Sequence, residues 1–198
     1  MKTKKNYPNR NHIKGKKKYV YTKKDYQSND GMLTSVWGPG LWHTLHTMSF
    51  NYPISPSIED KTHYREFILN LQYVLPCGKC RKNLKMNFKK LPLTIRDMES
   101  RDTFSRYIYN LHELINKMLG KKSGLSYKDV RERYEHFRSR CVVSDLDEKT
   151  NAPNKSELGC TEPIYGEKSK CILQIVPNTT KCETFQINKK CIKQKIPK

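Results

Sequence analysis

The sequence has no apolar run approaching the roughly 20 residues that a membrane-spanning helix needs, which excludes an α-helical membrane protein. Its basic N-terminus is not followed by an apolar segment, so no secretory signal is expected, and a soluble protein made in the cytoplasm is. Strand–helix–strand alternation is missing throughout, which argues against a doubly wound or thioredoxin-like sheet. Acid is scarce: 19 Asp and Glu stand against 39 Lys and Arg, a net charge of +20. Apolar residues make up only 35% of 198 residues, so part of the chain is expected to lie outside any packed core.

What is present is unevenly spread. Residues 1–24 hold ten Lys or Arg and no acid. Such a run cannot bury itself; it reads as a solvated arm able to make non-specific electrostatic contact with nucleic acid, and no base-reading motif accompanies it. Residues 1–33 are expected to be a basic, disordered arm, residues 34–141 a helical domain, and residues 142–198 a Cys- and Lys-containing extension. Seven cysteines are many for a reducing compartment, and the odd number leaves at least one thiol without an intramolecular partner.

Helical periodicity organises the middle of the chain. Pro39 suits a first helical turn, with Leu41, Leu45 and Met48 on one stripe and Trp42, His46 and Ser49 on the next, ending at Tyr52–Pro53. Ser57 and Asp60 form a capping box for a second helix through Phe67, Ile68, Leu71 and Val74, stopped by Pro76. Cys77-Gly-Lys-Cys80 opens a third helix, through Leu84 and Phe88 to Leu91–Pro92, and a loop follows from Leu93 to Ser100. Ile108, Leu111, His112, Ile115, Met118 and Leu119 fall on one face of a fourth helix, which Gly120 stops. Ser126 and Asp129 cap a last helix, expected to run to Cys141. The fold class is therefore all-α: a five-helix bundle, a four-helix up-down core plus a short fifth helix, with disordered or irregular extensions.

Cys77 and Cys80 are the chemical centre. Two cysteines at this spacing can close a strained, reducible disulfide, and a helix N-terminus favours a thiolate there. A zinc half-site is the alternative, but it needs two more soft ligands nearby; none follows within thirty residues, and the nearest upstream is His63. Two incidental cysteines remain the bland reading. A thioredoxin-like context would require Leu71–Leu75 to be a buried strand, against the helical periodicity before it. A helical redox protein must therefore draw on an acceptor from elsewhere. Trp37, Trp42, His46, His112 and Asn116, with Lys117 and Lys121, are the residue types that a flat, phosphate-bearing heteroaromatic ligand uses. Each also has an ordinary explanation in core packing or in complementing a helix dipole.

Together, Trp37-Gly38, Trp42, His43, His46, Tyr52-Pro53, then Cys77-Gly-Lys-Cys80-Arg, then Leu111-His112-x-x-Ile-Asn116-Lys117-x-Leu-Gly120-Lys121 resemble the Erv/ALR family of FAD-linked sulfhydryl oxidases, in the compact, basic form found in large DNA viruses. The resemblance covers about Leu33 to Cys141. It implies a five-helix bundle holding FAD, usually as a homodimer. The flavin would be surrounded by Trp37, Gly38, Trp42, His46, His112, Ile115, Asn116 and Lys117, with Tyr52, Lys121 and Tyr134 counted among the cofactor contacts and no metal. Cys80 would be the flavin-proximal thiol and Cys77 the outer sulfur that exchanges with dithiol protein substrates. Electrons would pass to O2, giving H2O2, and the setting would be virion proteins assembled in host cytoplasm, with the virion itself a second location. The alternative from another class is a non-enzymatic basic module binding zinc or nucleic acid.

Three departures from the family pattern are visible. Glu113 follows His112, where the family commonly has Asn. Cys141 lacks the upstream cysteine that staples the last helix in many members, so it is free, intermolecular or paired with the tail. The second CxxC that relays electrons in many relatives is missing, leaving Cys160, Cys171, Cys182 and Cys191, spaced eleven, eleven and nine apart, as the candidates for that role.

Overall fold

The computed structural model describes residues 22–141, 159–183 and 185–193. The first 21 residues of the basic arm and residues 142–158 of the extension lie outside them. The chain divides into two compact units, Met1–Asp30 and Gly31–Lys198. Within the first, a single helical turn, α1 (Lys23–Tyr26), is closed by a capping box between Thr22 and Asp25. It falls in a stretch whose composition gave no periodicity.

The second unit carries five longer helices: α2 (Thr34–Asn51), α3 (Ile58–Val74), α4 (Gly78–Lys90), α5 (Arg101–Met118) and α6 (Tyr127–Glu135). Among the described residues the only sheet is a two-residue antiparallel ribbon, β1 (Ser139–Arg140) with β2 (Glu162–Pro163). The architecture is the expected all-α bundle with α5 at its centre. Ile108, Leu111 and Phe104 of α5 are essentially sealed from solvent, packed with Leu45, Ile68, Leu84, Phe88 and Met98.

Local chemistry explains most boundaries. Ser57 and Ser126 each accept from the backbone N–H three residues on, while Asp60 and Asp129 reach back to the cap N–H. The same reciprocal arrangement, with Thr103 in the acid's place, starts α5 at Ser100. Gly120, at φ +68°, supplies the left-handed turn that ends it. The last carbonyls of α2 are capped by arginines from elsewhere: Arg101 Nε donates to Tyr52 O at 2.6 Å and Arg138 Nη2 to Phe50 O at 2.9 Å.

Three sequence expectations are corrected. α2 begins five residues before Pro39, which lies inside the helix. Proline removes one backbone donor there, but Leu45, His46, Ser49 and Phe50 are buried further along, and their packing outweighs the local loss. The last helix ends at Glu135 and not at Cys141, because residues 139–140 pair with β2. The loop after α4 contains a 3-10 turn, Arg96–Met98, with Met98 fully buried.

Candidate active site

Cys77 is the N-cap of α4: its Sγ accepts the Cys80 N–H at 3.2 Å. Pro76 ends the extension of α3, and Cys77 N–H bonds back to Leu75 O at 2.8 Å, turning the chain sharply into α4. Arg81, one residue beyond, donates to the same Leu75 carbonyl. This turn holds Cys77 and Cys80 as a disulfide with Cα atoms 5.2 Å apart. The two sulfurs face different surroundings. Cys80 packs on the core cluster in company with Trp37, Leu41, Trp42 and Ile115.

Beside that cluster, α2, α5 and α6 assemble a wall of rings. Trp42 and His112 stack at 3.9 Å, nearly parallel. His46 Nε2 and His112 Nδ1 lie 3.0 Å apart, so one imidazole donates to the other. Phe50 and Tyr134 continue the array at 5.4 Å, and His43 Nδ1 meets the Tyr134 hydroxyl at 3.3 Å. Burial keeps these imidazoles neutral. It drives His46 down to about 3, helped by His112 and His43 beside it, and His112 down to about 4, with Lys121 adding in the same direction. Burial likewise pushes the Tyr134 hydroxyl up to about 12. His46 Nδ1 is buried and has no hydrogen-bond partner. An orphaned polar atom of that kind is costly unless a ligand completes it.

The candidates read from sequence are distributed as follows. Trp42, His46, His112 and Tyr134 share the ring wall. Trp37, like Cys80, is partly buried against the core cluster, its Nε1 donating to Met32 O at 3.1 Å. Gly38 is buried, and a Cβ there would meet only Thr34 Cγ2, at 3.7 Å. Asn116 donates to Glu113 at 3.0 Å, so the departure at Glu113 ties up an amide the ligand set would use. Lys117 and Lys121 line an open cavity of about 830 Å³ with Lys90, Lys122, Leu91 and Leu114, on the far side of α5 from His112. Tyr52 is spent on the core: fully buried, its hydroxyl donates to Met98 O at 2.9 Å, and its ring packs on Tyr64 and Phe104.

Sequence reasoning missed Phe50, Phe137 and Phe185 and left His43 out of the site. Phe50 and His43 were detectable one step off the Trp42–His46 stripe. Phe185 carried no signal. It returns from the extension to lie on His43, Tyr134 and Phe137, with ring centroids 5.5, 6.4 and 6.1 Å away. The extension is anchored by a second disulfide, Cys141–Cys160, which answers the question the missing upstream cysteine raised. Cys171 and Cys182 are exposed free thiols, and Cys191 is a half-buried one. Among the described residues no cluster of His, Cys, Asp and Glu could hold a metal ion, and no helix is long and apolar enough to cross a membrane.

A helical bundle that presents a two-residue-spaced disulfide at a helix N-terminus, backed by stacked rings, defines an all-α thiol–disulfide redox protein. The chain belongs to the Erv1 / Alr family, whose model matches residues 39–135. It is 38% identical over 104 residues to the "Probable FAD-linked sulfhydryl oxidase" of Acanthamoeba polyphaga mimivirus, covering 52% of this chain and 72% of that protein. It is 33% identical over 99 residues to the FAD-linked sulfhydryl oxidase of African swine fever virus, covering 49% and 81%. The crystal structure of the yeast Erv1 core is similar over 62% of this chain and 95% of that one, at 22% identity and a TM-score of 0.48.

Proposed function

We propose that this protein is an FAD-dependent thiol oxidase that makes disulfides in protein substrates, with O2 as terminal acceptor and H2O2 as product. The observation that carries the reading is the Cys77–Cys80 disulfide at the N-terminus of α4, with Cys80 packed on the same core cluster that Trp37 and Trp42 pack against.

The residues fit the cofactor. His46 Nδ1 is a buried polar atom awaiting a partner, and Trp42, His112 and Tyr134 offer faces for stacking. Trp37, Gly38, Trp42, His46, His112 and Ile115 would hold the group, with Tyr134 beside them. When bound, FAD supplies a two-electron acceptor for the thiol pair and a route to O2. The protein's own part is thiol–disulfide exchange. A substrate thiolate attacks Cys77 Sγ and breaks the Cys77–Cys80 bond, leaving Cys77 in a mixed disulfide and Cys80 as the thiolate. The second substrate thiol, deprotonated, then attacks the substrate sulfur of the mixed disulfide and releases Cys77. The substrate loses two electrons and two protons, and the cysteine pair holds the electrons. The neutral imidazoles and Tyr134 keep the ring wall uncharged.

A homodimer, work on proteins of a virus assembling in host cytoplasm, and non-specific nucleic-acid contact by the basic arm belong to the same proposal. Relatives encoded by large DNA viruses support the setting, and the exposed Phe67, Tyr73 and Val74 of α3 support self-association. Purified protein should be yellow and should release one H2O2 for each dithiothreitol oxidised. Colourless protein that consumes no oxygen would overturn the reading.

A further inference from the structure

The stretch that leads into α2 is laid directly on the redox turn. Gly31 sits so close to it that an added Cβ would stand 2.8 Å from Pro76 O and 3.2 Å from Cys77 Cα, so only glycine lets the backbone pass there. Met32 N–H donates to Pro76 O at 2.8 Å and fixes the register. Three residues after Gly31, Thr34 Oγ1 lies 3.5 Å from Cys80 Sγ. A disulfide sulfur carries no proton, so the hydroxyl is the donor.

Thr34 is free to make that contact because of where it stands. Thr44, Thr47 and Thr62 all turn their hydroxyls back onto the carbonyl four residues earlier in their own helices. Thr34 is the first residue of α2 and has no helical carbonyl four residues before it. Its hydroxyl points outward to the sulfur instead. Lys79 and Arg81 flank Cys80 in its own turn, and Arg81 is engaged with the Leu75 carbonyl. Neither the Gly31–Trp37 stretch nor the Leu75–Pro76 link carries a charged side chain.

Resting on the thiol-oxidase reading, we propose that Thr34 decides which sulfur leaves: its hydroxyl stabilises the Cys80 thiolate and so directs the incoming substrate thiolate onto Cys77. Without it the helix N-terminus favours Cys77, whose sulfur already takes the Cys80 N–H. In disulfide exchange the sulfur of lower pKa leaves faster. Thr34 offsets the bias of the N-cap, so that electrons arrive on Cys80, the sulfur packed against the core cluster. The step balances as ordinary exchange: the Cys77–Cys80 bond breaks, a Cys77–substrate bond forms, and the electron pair goes to Cys80.

The test uses the full chain with its flavin and reads thiol chemistry rather than oxygen uptake. In a Cys77→Ser background, the rate of Cys80 alkylation by iodoacetamide is followed against pH by peptide mass. Thr34→Val should raise the midpoint by about one unit, a roughly tenfold loss of thiolate at a fixed lower pH, and Thr34→Ser should restore it. With both cysteines present, oxidised protein mixed with 2-mercaptoethanol and quenched in acid should carry the adduct on Cys77, and Thr34→Val should shift it toward Cys80. An unchanged midpoint in Thr34→Val, or an equal shift in Thr34→Ser, would overturn the proposal. Thr34 is exposed, so these variants should fold, and Thr34→Ala provides a second deletion of the hydroxyl. Alkylation is read whether or not O2 is consumed, so failure here is distinct from failure of the oxidase reading.

Discussion

The two disulfides of this chain use the same bond for opposite purposes. Cys77 and Cys80 stand three positions apart at the mouth of α4, while Cys141 and Cys160 stand 19 apart and tie the end of β1 to the residues before β2. Loop-closure entropy grows with length, so the second stabilises the fold and the first contributes little. Their neighbours differ as well. Cys77–Cys80 has a helix N-terminus, a hydroxyl donor on one sulfur and the hydrophobic core against Cys80. Among the described residues, the polar neighbour of Cys141 is Ser139, whose hydroxyl lies 3.2 Å from its Sγ. Reactivity follows these surroundings and not the bond itself.

That contrast breaks most visibly on removal of a sulfur. Cys80→Ser should lower oxygen uptake with dithiothreitol by more than about a hundredfold while leaving the melting temperature nearly unchanged. Cys160→Ser should do the reverse. Chain entropy puts the loss near 3 kcal/mol, seen as a lower melting temperature and faster hydrogen exchange at residues 159–193, with turnover kept within about twofold. If Cys160→Ser abolishes turnover, the staple is part of the chemistry.

Acid should weaken the ring wall next. His46 and His112 are held neutral in the folded chain far below their ordinary 6.5, so the unfolded chain takes up protons first as pH falls. Stability from this pair is complete above about 6.5 and declines as pH drops toward 4 and 3. Thermal melts across that range check it; a curve that stays flat down to pH 4 would show that the wall does not exclude water. Phe185→Ala, with the smallest effect, removes a half-buried ring from His43, Tyr134 and Phe137 and should cost about 1 kcal/mol. It sharpens the contrast by asking whether the extension does more than hold on. Phe185 grips α2 at His43, about 14 Å along the helix from Thr34 and the redox turn.

Much of this organisation was legible in the sequence because it rests on short-range chemistry. The Ser57–Asp60 and Ser126–Asp129 boxes, the stop at Gly120 and the redox turn at Cys77–Cys80 each need only residues a few positions apart. The start of α2 was not, because Pro39 reads as a helix beginning and the burial that overrides it is tertiary. The Cys141–Cys160 bond and the β1–β2 ribbon join segments on either side of residues 142–158, whose composition carries no periodicity. Tyr52 shows the converse limit. A residue within a recognisable motif can serve the core, and its burial, its packing on Tyr64 and Phe104 and its hydrogen bond to Met98 distinguish the roles.

The most direct measurement is a stoichiometric one. Oxidised protein is mixed anaerobically with two equivalents of dithiothreitol, enough electrons for both the flavin and one cysteine pair, quenched with an alkylating reagent and mapped by peptide mass. Label should appear on Cys77 and Cys80 while Cys141 and Cys160 remain joined. Label on Cys141 and Cys160, with Cys77–Cys80 intact, would contradict the assignment of the reactive bond.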